Sequence, residues 1–153
     1  MKSDELRHFL LSIPHFTQLG SGDLVALERS LEIRTVEDGH VFFEQGDAAD
    51  GVYLVLSGQV AVDHTRSSGH TMEVNRMVER ELFGILALLD DIPRTATCTA
   101  EGETTVGYLP NHLFWTLAGT RANIGYPFQR VLARQLAKDF RVASARIDSL
   151  LEG

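Results

Sequence analysis

At 153 residues, with 44% apolar and 23% charged side chains, the chain has the composition of one globular domain, which excludes the disordered and fibrous classes. A formal net charge of −7 opposes the clustered Lys and Arg that hold a phosphate backbone, so no direct nucleic-acid binding is expected. The single cysteine, Cys98, excludes a disulfide framework and fits a reducing compartment; with a charged N-terminus and no run of ~20 apolar residues, a soluble cytoplasmic protein without membrane contact is expected.

Ser3 is placed to cap a helix on which Leu6, Phe9, Leu10 and Ile13 share a face until Pro14 breaks it. Ser21 is placed to cap a second, short helix carrying Leu24, Leu27 and Leu31, so residues 1–30 read as N-terminal helices. From 31 to 109, turn signals at Asp38-Gly39, Gln45-Gly46-Asp47, Ser57-Gly58, Ser67-Ser68-Gly69 and Glu101-Gly102 divide short β-branched runs, which predicts a sandwich or barrel. Val52, Leu54 and Leu56 fall on one face of a strand, and Val60 and Val62 on one side of the next. The short Ser57-Gly58 link between them predicts a hairpin. Residues 81–90 lose the alternation and predict a helix of one or two turns. Strand composition resumes at 95–100 and 104–109, and Pro110 opens a helix with Leu113, Phe114 and Leu117, Trp115 joining Phe114 to anchor it on the β part. Residues 110–153 thus read as C-terminal helices. Within them Leu136, Phe140, Ala143, Ile147 and Leu150 form a heptad stripe, which either packs on the chain's own roll or pairs with a second copy through residues 127–151.

The stretch from Phe83 to Thr97 joins a glycine, a very short helix and an arginine, which together describe an anion cradle. Gly84 lets a ligand approach the main chain, the first helical turn offers free N–H groups, and Arg94 adds a fixed charge with forked donors. This stretch resembles the phosphate-binding cassette of cyclic-nucleotide-binding domains, found in kinase regulatory subunits and catabolite-activator-type regulators. The usual form is Phe-Gly-Glu-Leu-Ala-Leu followed by Arg-x-Ala; Phe83-Gly84, Leu86-Ala87-Leu88 and Arg94-Thr95-Ala96 match it, and Pro93-Arg94 gives the spacing of the kinase branch. Ile13-Pro14-His15-Phe16, Glu44-Gln45-Gly46-Asp47 and the segment from Val52 to Gly58 resemble the family's preceding segments in the same order, so the likeness covers nearly the whole chain.

The resemblance implies one domain over residues 1–153: a mainly β fold with flanking helices, a double-stranded β-helix or jelly roll over 31–109 with its cassette at 83–97, and a long C-terminal helix. It implies ligand-binding roles for Phe83, Gly84, Ile85, Leu86, Ala87, Arg94, Thr95 and Ala96, and cyclic AMP or cyclic GMP as ligand. In the family the cassette glutamate accepts a hydrogen bond from the ribose 2′-hydroxyl; here Ile85 stands in its place. Losing a charge-assisted hydrogen bond forfeits ~1.5–3 kcal/mol, roughly ten- to a hundredfold in affinity. The family's regulators continue into a DNA-binding helix pair and its kinase subunits into a second domain, and neither follows here, so output is expected through a protein partner or a homodimer.

Two functional readings stand. In the first, a regulatory sensor binds a phosphate-bearing small molecule and signals through its C-terminal helix; in the second, Arg94 pairs with Asp90 or Asp91 and the fold is an interaction scaffold around a relic pocket. The six histidines form no recognisable zinc pattern, a lone haem ligand is far less expected than a scattered surface histidine, and no metal or resident cofactor is expected. No nucleophile elbow, Walker loop or dinucleotide fingerprint is present, so no enzyme is expected; a cupin-like enzyme would share the roll but lacks the metal-binding histidines.

Overall fold

The computed structural model describes residues 1–119 and 123–152. The β-branched and apolar runs of the middle of the chain build two long strands, β3 (Gly51–Thr65) and β6 (Thr97–Pro110). They pair antiparallel almost end to end, Gly51 opposite Pro110 and Asp63 opposite Thr97. β1 (Glu32–Val36) and β2 (Val41–Phe43) also pair with β6, while β4 (Thr71–Met77) and β5 (Leu82–Phe83) pair with β3, giving a six-stranded antiparallel sheet. The helices are α1 (Ser3–Leu11), α2 (Ser21–Ser30), α3 (Ile85–Asp90), α4 (Asn111–Ala118) and α5 (Gly125–Glu152). The result is the expected jelly roll with flanking helices and a long C-terminal helix.

Two apolar clusters hold it together. The first packs Val52, Leu54 and Leu56 of β3 against Leu6, Leu10, Leu24 and Leu27 of the N-terminal helices and Phe114, Phe128 and Leu132 of the C-terminal ones. The second is built from strand residues alone, among them Phe43, Tyr53, Val55, Val60, Phe83 and Tyr108, and so fills the inside of the roll.

The predicted hairpin at Ser57-Gly58 does not form: β3 runs straight through it. Both halves of the strand find their partner in β6, and the pairing register shifts between Val55 and Ser57 and again between Ser57 and Gln59. Gly58 takes φ 89, and this irregularity changes which parity faces which core. Val52, Leu54 and Leu56 face the helices, but Val60 beyond it faces the inside of the roll. Gly102 likewise sits within β6 at φ 70 rather than dividing two strands.

The caps fall one residue earlier than predicted, on Lys2 and Gly20, with Ser3 and Ser21 inside their helices. Trp115 is 48% exposed, and α4 is anchored by Phe114 and Leu117 instead. Only the start of the heptad stripe packs on the roll, Leu136 lying against the first cluster; Phe140 is 73%, Ile147 57% and Leu150 58% exposed, and α5 is held mainly by Phe128, Val131, Leu132 and Gln135. Residues 120–122 and 153 of the expected helical stretch lie outside the described residues. No helix among the described residues is long and apolar enough to cross a membrane.

Candidate functional site

β5 ends at Phe83, and the chain must turn at once into α3. Gly84 makes that turn in the left-handed region at φ 81, where glycine alone pays no steric cost. A Cβ here would stand 2.7 Å from Arg94 Nη1 and 3.3 Å from Phe43 Cε2, so the guanidinium lies directly over the bare glycine. The helix closes after six residues, with Asp91 at φ 51 and Ile92 N donating to Ala87 O. Arg94 is then fixed by its own backbone: its N donates to Asp47 O and its O accepts from Gly46 N, both at 2.8 Å. Gln45 N donates to Thr97 Oγ1 at 2.9 Å, so the Gln45-Gly46-Asp47 turn clasps the segment that leads from the arginine into β6.

The Arg94 side chain is 2% exposed. Nη1 donates to Gly84 O at 2.7 Å, and Nη2 donates to Gly51 O at 2.8 Å and to Asp50 Oδ1 at 3.2 Å. Its carbon centre lies 3.9 Å from the centre of the Phe43 ring. Nε is buried with no hydrogen-bond partner among the described residues. Asp90 and Asp91 are both exposed, and the ion pair that sequence reasoning assigned to them goes to Asp50. Asp50 is presented by the β3 entry, where its O accepts from Tyr108 Oη and from Asn111 N. Burial, with the nearby Asp50 charge, pushes the Tyr108 hydroxyl up to about 12.

Phe43, Gly84 and Arg94 help to wall a cavity of about 350 Å³. All eight residues singled out in the sequence, Phe83, Gly84, Ile85, Leu86, Ala87, Arg94, Thr95 and Ala96, line it. Ile85 is 3% exposed and part of the first apolar cluster. Cys98 lines the inner wall as a small strand residue, its thiol pushed up to about 12 by burial. Among the described residues no group of His, Cys, Asp and Glu is gathered as a metal site.

The far wall was not read from the sequence as part of the site; of its residues only Leu136 and Ala143 were noted, as members of the heptad stripe. It comprises Asn75 of β4 and Leu136, Asp139 and Ala143 of α5. Asp139 accepts from Asn75 Nδ2 at 3.2 Å and from Gln135 Nε2 at 3.0 Å. Burial raises the Asp139 pKa against the pull of those two hydrogen bonds. Gln135 also accepts from Leu82 N at 3.0 Å and donates to Glu81 Oε2 at 3.1 Å, while Lys138 Nζ reaches Glu81 Oε1 at 2.9 Å. A polar lock thus fastens α5 to the segment that enters the cassette. Polar residues on a helix read locally as a solvated face, so no sequence signal singled out Gln135, Lys138 or Asp139.

Residues 33–121 match the family model described as the cyclic nucleotide-binding domain. Among curated proteins, the cAMP-dependent protein kinase regulatory subunit of Yarrowia lipolytica is 36% identical over 72% of this chain and 29% of its own length. The CRP-like cAMP-activated global transcriptional regulator of Mycobacterium tuberculosis is 27% identical over 75% of this chain and 51% of its own. The chain therefore spans less than a third of the first and about half of the second. Among solved structures, a cyclic nucleotide-binding domain from Methylobacillus flagellatus superposes with a TM-score of 0.82 at 20% identity, covering 95% of this chain and 82% of that one.

Proposed function

The chain belongs to the cyclic nucleotide-binding domain family, and on that premise we propose that it is a regulatory sensor domain without catalysis of its own. Its cavity takes a phosphate-bearing small molecule, a cyclic nucleotide such as cyclic AMP or cyclic GMP being the first candidate. One observation carries this reading: Arg94 Nε, in the wall of the cavity, is a buried, charged donor without a partner among the described residues. Leaving such a donor unpaired costs about 1–3 kcal/mol or more, and a phosphate oxygen accepting from it would recover that cost.

The sugar end of the ligand meets a different surface. Ile85 is committed to the apolar core and offers no acceptor. Asp139 is the one carboxylate among the described residues lining the cavity, so the acceptor facing a ligand hydroxyl or amine comes from α5 instead of the cassette. A ligand spanning Arg94 and Asp139 would tie cassette and helix together, which supports α5 as the output element. Its exposed apolar stripe, Phe140, Ile147 and Leu150, is open to a second copy of the chain or to another protein.

A second reading, an interaction scaffold around a relic pocket, draws on the fact that Arg94 already has Asp50, Gly51 O and Gly84 O as partners. Calorimetric titration with cyclic AMP and cyclic GMP separates the two, with Arg94→Met and Asp50→Asn as variants and thermal unfolding followed in parallel. The sensor reading expects heat and a raised Tm in the parent, abolished in Arg94→Met but retained in Asp50→Asn. Silence with both nucleotides at millimolar concentration removes cyclic nucleotides as ligands and favours the scaffold.

A further inference from the structure

The net charge of −7 conceals a local reversal. Along α5, Arg130, Arg134, Lys138 and Arg141 recur at steps of four, four and three, which places them on one helix face. This face lies on the flank away from Leu136, Asp139 and Ala143, which line the ligand cavity. Arg134, Lys138 and Arg141 wall a separate groove of about 410 Å³, faced by Arg80 and floored by the buried Ile13 and Val131.

The only carboxylate lining that groove among the described residues, Glu81, is already engaged by Lys138, Gln135 and Val78 N. Arg130, Arg134 and Arg141 have no ion-pair partner among the described residues. The field they make is felt next door: the pKa of His15 is lowered, first by burial and then by the charges of Arg130 and Arg134.

We propose that this groove docks an acidic segment of a partner protein, bound extended along α5. Residues four apart on a helix are ~6 Å apart along its axis, and alternate residues of an extended chain are ~6.6 Å apart. Carboxylates at every second position therefore keep step with Arg130, Arg134 and Lys138, the last of them shared with Glu81. The stripe from 130 to 141 is ~17 Å long, enough for about five extended residues, and the apolar floor accommodates an aliphatic neighbour of the acidic ones. A nucleic-acid duplex fits less well. It runs past a ~17 Å stripe onto the surface of a chain of net charge −7, whereas a short peptide sees little beyond a Debye length of ~8 Å. The inference stands whether or not the ligand cavity is filled.

The test uses the full chain without nucleotide, in low salt. Fluorescence anisotropy is read with a labelled Glu-Val-Glu-Val-Glu peptide, with its Gln-for-Glu counterpart and with a short DNA duplex as competitors. The acidic peptide binds at least about tenfold more tightly than the Gln peptide, a difference of ~1.4 kcal/mol. Arg134→Glu and Arg141→Glu each weaken it about tenfold, while Arg146→Glu, the same change at an exposed position outside the groove, leaves it within about threefold. Each variant is exposed, and thermal unfolding checks that each is folded. No preference over the Gln peptide, an equal loss in Arg146→Glu, or displacement of the peptide by an equal charge concentration of duplex overturns the inference.

Discussion

Gly84→Ala probes the cassette where backbone and guanidinium meet, and its cost can be worked from the structure. At φ 81 an alanine pays about 1–2 kcal/mol for the left-handed conformation. Its Cβ would lie 2.7 Å from Arg94 Nη1, so the guanidinium must swing off Gly84 O and give up a charge-assisted hydrogen bond worth ~1.5–3 kcal/mol. The sum is ~2.5–5 kcal/mol. Gly69→Ala is the control, because Gly69 has a similar φ of 88 but nothing within 4 Å of its would-be Cβ; it pays the strain alone, ~1–2 kcal/mol. Urea unfolding of both, with unchanged m-values, gives the difference directly. At ~2–4 °C per kcal/mol for a domain of this size, Gly84→Ala lowers the Tm by roughly 5–20 °C and Gly69→Ala by roughly 2–8 °C. In an Arg94→Met background the Gly84→Ala cost falls back towards the strain term, a coupling of at least ~1.5 kcal/mol. Equal costs for the two glycines, or additivity within ~0.5 kcal/mol in the cycle, would refute the idea that Arg94 is what makes Gly84 obligatory.

Two further outcomes rest on the geometry of Gly58 and of Asp139. Gly58→Ala meets rigid backbone, with Glu103 O at 2.7 Å and Thr104 Cα at 2.9 Å; strain plus overpacking costs ~2–5 kcal/mol, and hydrogen exchange should rise along both β3 and β6, while loss below ~1 kcal/mol contradicts the bulge. Asp139 has its pKa raised by burial, so the stability it allows is complete below the ordinary carboxylate pKa of ~3.9 and is lost as pH climbs through the raised value. Asp139→Asn, which keeps an acceptor for Asn75 and Gln135, should therefore be the more stable protein at pH 7 and should lose its advantage towards pH 4; urea unfolding across that range showing a pH-independent difference contradicts it.

What the sequence revealed, and where it misled, divides along local and non-local lines. The cassette was legible because its parts lie within fifteen residues of each other and each has a local reason: a glycine at a left-handed turn, a helix too short to be anything else, an arginine opening a strand. The Ser57-Gly58 signal is just as local and was misread, because whether a Ser-Gly step turns the chain or bulges it depends on the partner strand. Here β6, some forty residues on, pairs with both sides of it and overrides the turn. Arg94 found Asp50 rather than its sequence neighbours Asp90 and Asp91 for a related reason: the β3–β5 pairing, with Tyr53 opposite Phe83, brings the start of β3 beside the cassette. The α5 stripe shows the limit of periodicity. Its heptad spacing is real, yet the residues that hold the helix are Phe128, Val131, Leu132 and Gln135, an earlier and offset stripe that the sequence displays equally well.

How α5 is held decides which part of it can answer a ligand. Its first third is set in the core by Phe128, Val131 and Leu132, and withdrawing three such side chains costs ~1.5–3 kcal/mol each. Its middle is fastened by the polar lock of Gln135, Lys138 and Asp139 to Leu82 N, Glu81 and Asn75, where each exchangeable contact is worth ~0.5–1.5 kcal/mol net. Beyond Ala143 the apolar side chains Ile147, Leu150 and Leu151 are exposed, so no comparable apolar anchor holds that end. A ligand of micromolar affinity has about 8 kcal/mol at its disposal, and only the part that distinguishes the two positions of the helix can move it. That differential can exceed the cost of re-pairing the lock far more readily than the cost of emptying the core. The helix should therefore pivot near Gln135, with Phe128 to Leu132 staying in place and the exposed apolar end swinging. Asp139 belongs both to the lock and to the cavity wall, so under the proposed sensor function it would be the residue that couples occupancy to the pivot.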